Sequence, residues 1–317
     1  MTELPGPKPA AESAVESQTI DPSGEEPREQ SVRSLRGDAW RDLRKNPLFW
    51  IASVMILVFV AMAIAPGLFT NTDPRDFDLG EARSTPTGEN WFGRDTQGYD
   101  LYARCIYGAR ASILVGLFST IGTMIVGVTL GLLAGYKRGW VDGLTSRVAE
   151  VFFGLPLILG AIIILTSLQG EDDTYLWIIF QVVLAQVVLG WPSIFRLMRA
   201  SVLQVTPNDY VASARALGAS PLRVVRSHVL PNAIGPVIVI STINFGGFIA
   251  AEAALSFLGI GLRPPTISWG VMIDAGLAAR SSAPHVLLFP ALFLSLAVLA
   301  FIMLGDAIRD AFDPKSR

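Results

Sequence analysis

Few residues in this chain could do covalent or acid–base chemistry. It has two histidines, His228 and His285, far apart in sequence, and a single cysteine, Cys105. No His-x-x-x-His or Cys-x-x-Cys pair exists to hold a metal, and no Ser-His-Asp set is suggested. The Gly-x-x-x-x-Gly-Lys-Ser/Thr loop, whose backbone amides cradle phosphates, does not occur, so the chain carries no device for binding and splitting ATP. Cys105 can form no intrachain disulfide and reads as a small apolar filler. Nothing here marks an enzyme. One carboxylate stands out by its surroundings. Glu252 follows the uncharged run 229–251, and a charge near mid-bilayer costs at least ~2.5 kcal/mol, so it should face protein or water and not lipid. Two readings of it stay open. Glu252, with Asn244 earlier in the same segment, lines or braces a permeation path, or it is an interfacial carboxylate satisfied by backbone amides of the loop that follows.

These residues need a frame, and composition supplies it. Over 317 residues the chain is 51% hydrophobic and 16% charged, with a mean hydropathy of +0.47. The charges are segregated: uncharged runs span 49–72, 111–135, 151–170, 176–195, 229–251 and 286–305. Each is close to or above the roughly 20 residues a helix needs to cross a bilayer, and a soluble core helix would not stay uncharged on every face for so long. The expected fold is all-α and polytopic, with six transmembrane helices. Basic residues cluster before the first run (Arg33, Arg36, Arg41, Arg44, Lys45), between the second and third (Lys137, Arg138, Arg147) and between the fourth and fifth (Arg196, Arg199, Arg215, Arg223, Arg226). The third-to-fourth connection is Glu171-Asp172-Asp173, without a base. The positive-inside rule then puts both termini and the 206–231 loop in the cytoplasm. Glu150, beside Arg147, reads as an anchor at the cytosolic edge.

The 206–231 loop is a compact basic knob. Thr206 is placed to cap a first helix, with Pro207 in its first turn and Asp209 three residues on, as in a capping box. Gly218 supplies a left-handed stop, and Ser220-Pro221 opens a second helix that should end before Pro231. Tyr210, Ala214 and Leu217 fall on one apolar stripe with Val211 beside it. Ala212, Ser213, Ala214 and Ala216 are small, so another protein's groove could close on the backbone. Taken alone, the knob could also be an amphipathic linker without a partner.

Elsewhere, Gly127, Gly131 and Gly135 make consecutive small-xxx-small steps that let another helix approach, either within the chain or across a subunit interface. The first 32 residues are rich in Pro, Glu, Ser and Gln with no apolar period, and read as a solvated, disordered extension. The expected organisation is a disordered cytosolic tail over 1–45, a first membrane helix and extracytoplasmic segment over 46–110, a core transmembrane domain over 111–305, and a cytosolic tail over 306–317.

Three motifs carry a resemblance to a known family. Ala212-Ser213-Ala214, then Gly218, then His228-Val-Leu230-Pro231 has the spacing of the EAA loop of binding-protein-dependent ABC importer permeases, with Ala212 where that family has Glu and His228 where it has Ile. Gly93-Arg94-Asp95, Gly98-Tyr99-Asp100 and Tyr107-Gly108-Ala109-Arg110 resemble a segment before the second span of dipeptide and oligopeptide permeases, with Tyr99 in place of an Arg. Glu252-Ala-Ala-Leu-Ser-Phe-Leu-Gly259-Ile-Gly261, then Pro264-Pro265, then Ser268-Trp269-Gly270 is similar to a third motif of the same group, the C-type subunit. Together they cover most of the chain from about residue 40.

The resemblance implies a type I ABC importer permease fold in a bacterial cytoplasmic membrane, moving short peptides or a related small solute. It further implies a second homologous permease, two ATP-binding cassette subunits that hold ATP and Mg, and an extracytoplasmic solute-binding protein. No cofactor is expected on this chain, and no nucleic acid. Docking onto the ATP-binding subunits would fall to Asp209, Tyr210, Ala212, Ser213, Ala214, Arg215, Leu217 and Gly218. The competing expectation is a gradient-driven secondary transporter using Glu252.

Overall fold

The computed structural model describes residues 40–312 apart from 42 and 171–173. The expected tail over 1–45 therefore lies mostly outside the described residues, as does Glu171-Asp172-Asp173. Residues 43–45, at the end of that tail, are helical. The helices that follow are α1 Pro47–Ile64, α2 Leu101–Lys137, α3 Gly139–Gly154, α4 Leu157–Leu168, α5 Tyr175–Val205, α6 Asp209–Ala216, α7 Pro221–Val224, α8 Leu230–Ala233, α9 Gly235–Phe257, α10 Trp269–Leu277 and α11 His285–Phe312. Extended pairing among the described residues is limited to two isolated bridges, Phe77–Tyr99 and Arg94–Asp100.

Local sequence explains where the long helices start. Asn46 accepts a hydrogen bond from the Leu48 amide at 2.9 Å, with Pro47 in the first turn of α1. Asp100 does the same for α2, accepting from the Ala103 amide at 2.7 Å. α2 thus begins ten residues before the uncharged run that announced it. At the other end of the chain, α11 continues past residue 305 through Asp306 and Asp310 to Phe312, into what composition marked as a tail.

α1, α2, α5, α9 and α11 are each long and apolar enough to cross a membrane. The third expected span is not a single helix. α3 and α4 meet at a 92° bend. Pro156 has no amide to donate and forces the residue before it out of helical backbone, and Leu155 accordingly sits at φ −82°, ψ 123°. An uncharged run reports solvation, not straightness, and so could not reveal this break.

α2 and α5 run parallel and form the most extensive helix pair. Gly127, Gly131 and Gly135 all face α5. A Cβ at Gly127 would lie 2.7 Å from the Ile194 Cβ, one at Gly131 2.7 Å from the Phe195 carbonyl oxygen, and one at Gly135 2.8 Å from the Val202 Cβ. The three small steps are therefore an intrachain seam, with backbone against backbone. α9 packs on α2 and α11, and α11 on α1. α1 leaves Leu57 and Ile64 exposed and α4 leaves Ile163 exposed, as expected of helices with a lipid-facing side.

Adding one methyl at the seam should be felt. Gly131→Ala is expected to destabilise the folded chain by about 1–3 kcal/mol through overpacking against the Phe195 carbonyl. Gly143→Ala, in the open on α3, should be neutral or stabilising by up to about 1 kcal/mol. Thermal unfolding in detergent compares the two. Equal behaviour would mean that the seam is looser than described.

Candidate functional site

The 206–231 segment emerges where α5 ends, and its caps differ from those expected. Thr206 does not open the first hairpin helix. It closes α5, its hydroxyl donating to the Val202 carbonyl at 2.6 Å. Asn208 is the N-cap residue of α6, and no side-chain capping bond is made there. Gly218 takes φ +82°, a left-handed backbone that a side chain would strain, and the chain reverses on it. Ser220 then accepts from the Arg223 amide at 3.4 Å at the start of α7. The second limb does not stop before Pro231. A π-helical turn over Val225–Val229 widens the spiral, Pro231 enters the first turn of α8, and the Asn232 side chain donates to the His228 carbonyl at 2.7 Å. The wider turn accommodates a residue that cannot donate.

The two faces of this hairpin differ. On one, Val211, Val224 and Val229 are buried and share a cluster with Met198 and Val202 of α5, while Tyr136 of α2 and Ala214 pack around its edge. The Arg215 guanidinium lies 5.2 Å from the centre of the Tyr136 ring, so it is tied to the helix bundle. On the other face Tyr210, Leu217 and Leu222 are exposed, Leu217 to 89%, with Asp209, Ala212 and Ser213 exposed among them. The stripe expected to act as a unit is thus divided. Val211 and Ala214 mount the hairpin, whereas Tyr210 and Leu217 project from it. Leu222 joins the projecting set and was not singled out in the sequence, because it lies beyond the glycine that ends the first helix.

Asn244 lines a cavity of about 320 Å³ walled by α9, by Leu189, Gly190 and Ser193 of α5, and by Phe152, Phe153, Leu155 and Leu157 at the α3–α4 bend. Glu252, further along α9, does not line that cavity. It is fully buried, and its Oε1 accepts from Ser256 at 2.8 Å and Ser268 at 3.0 Å, its Oε2 from Ser112 at 3.0 Å. Ser256 accepts in turn from the Leu262 amide at 2.9 Å, and Ser268 caps α10. The carboxylate therefore pins α2, α9 and the start of α10 together, and the loop amides reach it only through serine hydroxyls.

Around this clamp the third motif packs closely onto the second. The Trp269 indole donates to the Cys105 carbonyl at 2.9 Å, and Ser268 and Trp269 lie against α2 at Gly108. Arg110 donates to the Ala63 carbonyl at 2.9 Å, closing the end of α1. Asp95 gathers the Gln97 and Tyr99 amides and the Arg104 guanidinium. The ordered motifs thus form one tied assembly at the end of the bundle remote from the hairpin. Cys105 is buried within it. Among the described residues no group of three His, Cys, Asp or Glu side chains could hold a metal ion. Asp142, in the first turn of α3, and Arg199 of α5 form an ion pair near the hairpin end; the two lie 57 residues apart, a pairing that sequence spacing does not reveal.

Comparison with solved structures gives the class. The chain shares its fold with a chain of the MetNI methionine ABC transporter in an inward-facing conformation, with a TM-score of 0.54 at 18% identity over 66% of this chain and 96% of that one. It also matches a chain of an amino acid ABC transporter, with a TM-score of 0.50 at 16% identity over 64% and 91%. The fold is that of a type I ABC permease. Residues 127–317 match the family described as binding-protein-dependent transport system inner membrane component, and residues 34–86 match the N-terminal TM domain of oligopeptide transport permease C. The chain belongs to this family of inner-membrane permeases. It is 39% identical to the dipeptide transport system permease protein DppC of Bacillus subtilis, over 90% of this chain and 87% of the relative. It is 35% identical to the glutathione transport system permease protein GsiD of Pectobacterium atrosepticum (91% and 94%) and 32% identical to the oligopeptide transport system permease protein OppC of Bacillus subtilis (98% and 97%).

The clamp makes its own prediction. Glu252→Ala leaves three buried hydroxyls without an acceptor and is expected to cost about 1–3 kcal/mol for each group left unsatisfied. Glu252→Gln keeps an oxygen acceptor and an amide that Ser112 can accept from, and should cost markedly less. Thermal unfolding in detergent distinguishes them, and an alanine variant as stable as wild type would contradict the clamp.

Proposed function

We propose that this chain is half of the pore of an ATP-driven importer of short peptides. The 206–231 hairpin is its point of attachment to ATP-binding subunits. The observation that carries this reading is the two-faced hairpin. Its inner valines are set into the α2–α5 body, so it moves with that body, while Tyr210, Leu217 and Leu222 stand exposed. Exposed apolar groups on a rigid mount mark a contact surface. The EAA spacing, and the names of relatives that transport dipeptides, oligopeptides and glutathione, support the same reading.

On this account the hairpin end faces the cytoplasm, in line with the Arg-rich connections there. Two ATP-binding subunits hold ATP and Mg and grip this hairpin and that of a second, homologous permease. When nucleotide draws those subunits together, the hairpins are displaced as levers and the spans rock between inward-open and outward-open states. A solute-binding protein delivers cargo at the opposite end, where the Asp95 and Glu252 assemblies fix the outer loops. Asn244 and the cavity it lines belong to the path. Gradient-driven transport through Glu252 lacks comparable support, because that carboxylate is sealed among three serines and away from the cavity.

The test uses the complex assembled with its ATP-binding and solute-binding partners. Leu217→Arg and Gly218→Pro are expected to lower ATP hydrolysis stimulated by the cargo-loaded binding protein about tenfold or more, within the range of allosteric coupling energies. Leu57→Ala, on the lipid-facing side of α1, should leave it unchanged. Full stimulation in both hairpin variants would reject the proposal.

A further inference from the structure

The proposed coupling leaves open how displacement of the hairpin reaches the cavity that Asn244 lines. α5 runs directly into the hairpin and lines the cavity with α9, but a further wall belongs to the α3–α4 bend. α3 exposes Trp140, Leu144, Val148 and Val151, and is tied to α5 by contacts near both its ends. In its first turn, Asp142 takes the Arg199 guanidinium in a two-pronged pair, Nε on Oδ1 and Nη2 on Oδ2, the latter at 2.7 Å. Ser146 donates to the same carboxylate at 3.2 Å. In its last turn, Phe152 packs edge-on to Trp191, and Phe153 lies under the Arg196 guanidinium at 3.5 Å. Phe152 and Phe153 are also cavity wall.

Arg199 is itself fixed. Its backbone forms part of the seam, where a Cβ on Gly131 would come within 3.0 Å of the Arg199 amide nitrogen and one on Gly135 within 3.0 Å of its carbonyl oxygen. A parallel pair of charge-assisted bonds resists rotation as well as separation, which a single contact does not. The chain of parts is then continuous: hairpin, α5, Arg199, Asp142, α3, and the bend whose last helical turn lines the cavity together with Asn244.

We propose that the Asp142–Arg199 fork is a strut that converts movement of the hairpin into movement of the Leu155-Pro156 bend, thereby opening and closing the cavity. This rests on the coupling reading above and names the positioning pair through which it acts. Asp142 and Arg199 touch no cargo; they act through α3.

The test follows motion, not activity alone. In the complex assembled with its ATP-binding subunits, spin labels are placed on exposed Leu159 of α4 and exposed Leu292 of α11. A second pair joins exposed Ser213 of the hairpin to Leu292. Distances are read without nucleotide and after trapping with ATP and vanadate. In the wild type both distances should shift on trapping. Asp142→Asn and Arg199→Gln are expected to keep the Ser213 shift and lose most of the Leu159 shift, and the exchanged pair Asp142→Arg with Arg199→Asp should restore it. Peptide-independent ATP hydrolysis should stay within about threefold of wild type, less than the tenfold change a coupling free energy of 1.4 kcal/mol would give. If Leu159 moves as far in the single variants as in the wild type, the strut is wrong while the coupling reading stands. If the Ser213 distance does not change even in the wild type, the coupling reading fails and the strut with it.

Discussion

The backbone approach of α2 and α5 at Gly127, Gly131 and Gly135 constrains everything built on the bundle. Three glycines four residues apart meet Ile194, the Phe195 carbonyl and Val202, so the two helices lie too close for any larger residue along the line of contact. In a bilayer no hydrophobic gain favours one helix pairing over lipid, and association depends on close van der Waals contact of this kind. Because α5 carries the hairpin at its end and α2 carries Tyr136 beneath Arg215, the seam makes the hairpin part of a rigid body. The same seam fixes the Arg199 backbone, from which the contact to α3 departs.

The two ends of the bundle solve opposite problems. At the hairpin end, buried valines set the mount and the apolar side chains of Tyr210, Leu217 and Leu222 are left outside. At the other end polar groups are drawn inward and satisfied. Glu252 collects three serine hydroxyls from three segments, Asp95 collects two amides and a guanidinium, and Arg110 closes the carbonyl end of α1. Burial of a carboxylate is costly unless it is fully bonded, so each cluster holds its segments in one arrangement. Between the ends lies the α3–α4 bend, where a single proline exchanges a straight span for a cavity wall.

Much of this was legible in the residues, and the failures have physical causes. Uncharged runs located the long helices because bilayer solvation acts on composition. They could not fix helix ends, since α2 starts at a cap ten residues earlier and α11 continues through charged turns that no longer need lipid. Nor could they show the bend, although Pro156 was its signal. The glycine spacing pointed to close packing, but only coordinates say against what. In the hairpin Gly218 and Ser220 behaved as their chemistry requires. Thr206 did not, because the hydroxyl that could cap a new helix bonded back to the helix it ended. A Pro231 that should have stopped the second limb is carried through by the π turn. The partners of Glu252 were out of reach because Ser112 and Ser268 lie in distant segments.

The fold and family are those of a binding-protein-dependent inner-membrane permease, and the account beyond that turns on what covers Leu217. A photocrosslinking side chain at position 217, activated in the assembled transporter in native membranes, tests this most directly. The account expects a single predominant adduct with an ATP-binding subunit, lost when those subunits are not co-expressed. An adduct with lipid or with an extracytoplasmic protein, or a residue that reacts only with water while the ATP-binding subunits are present, would contradict it.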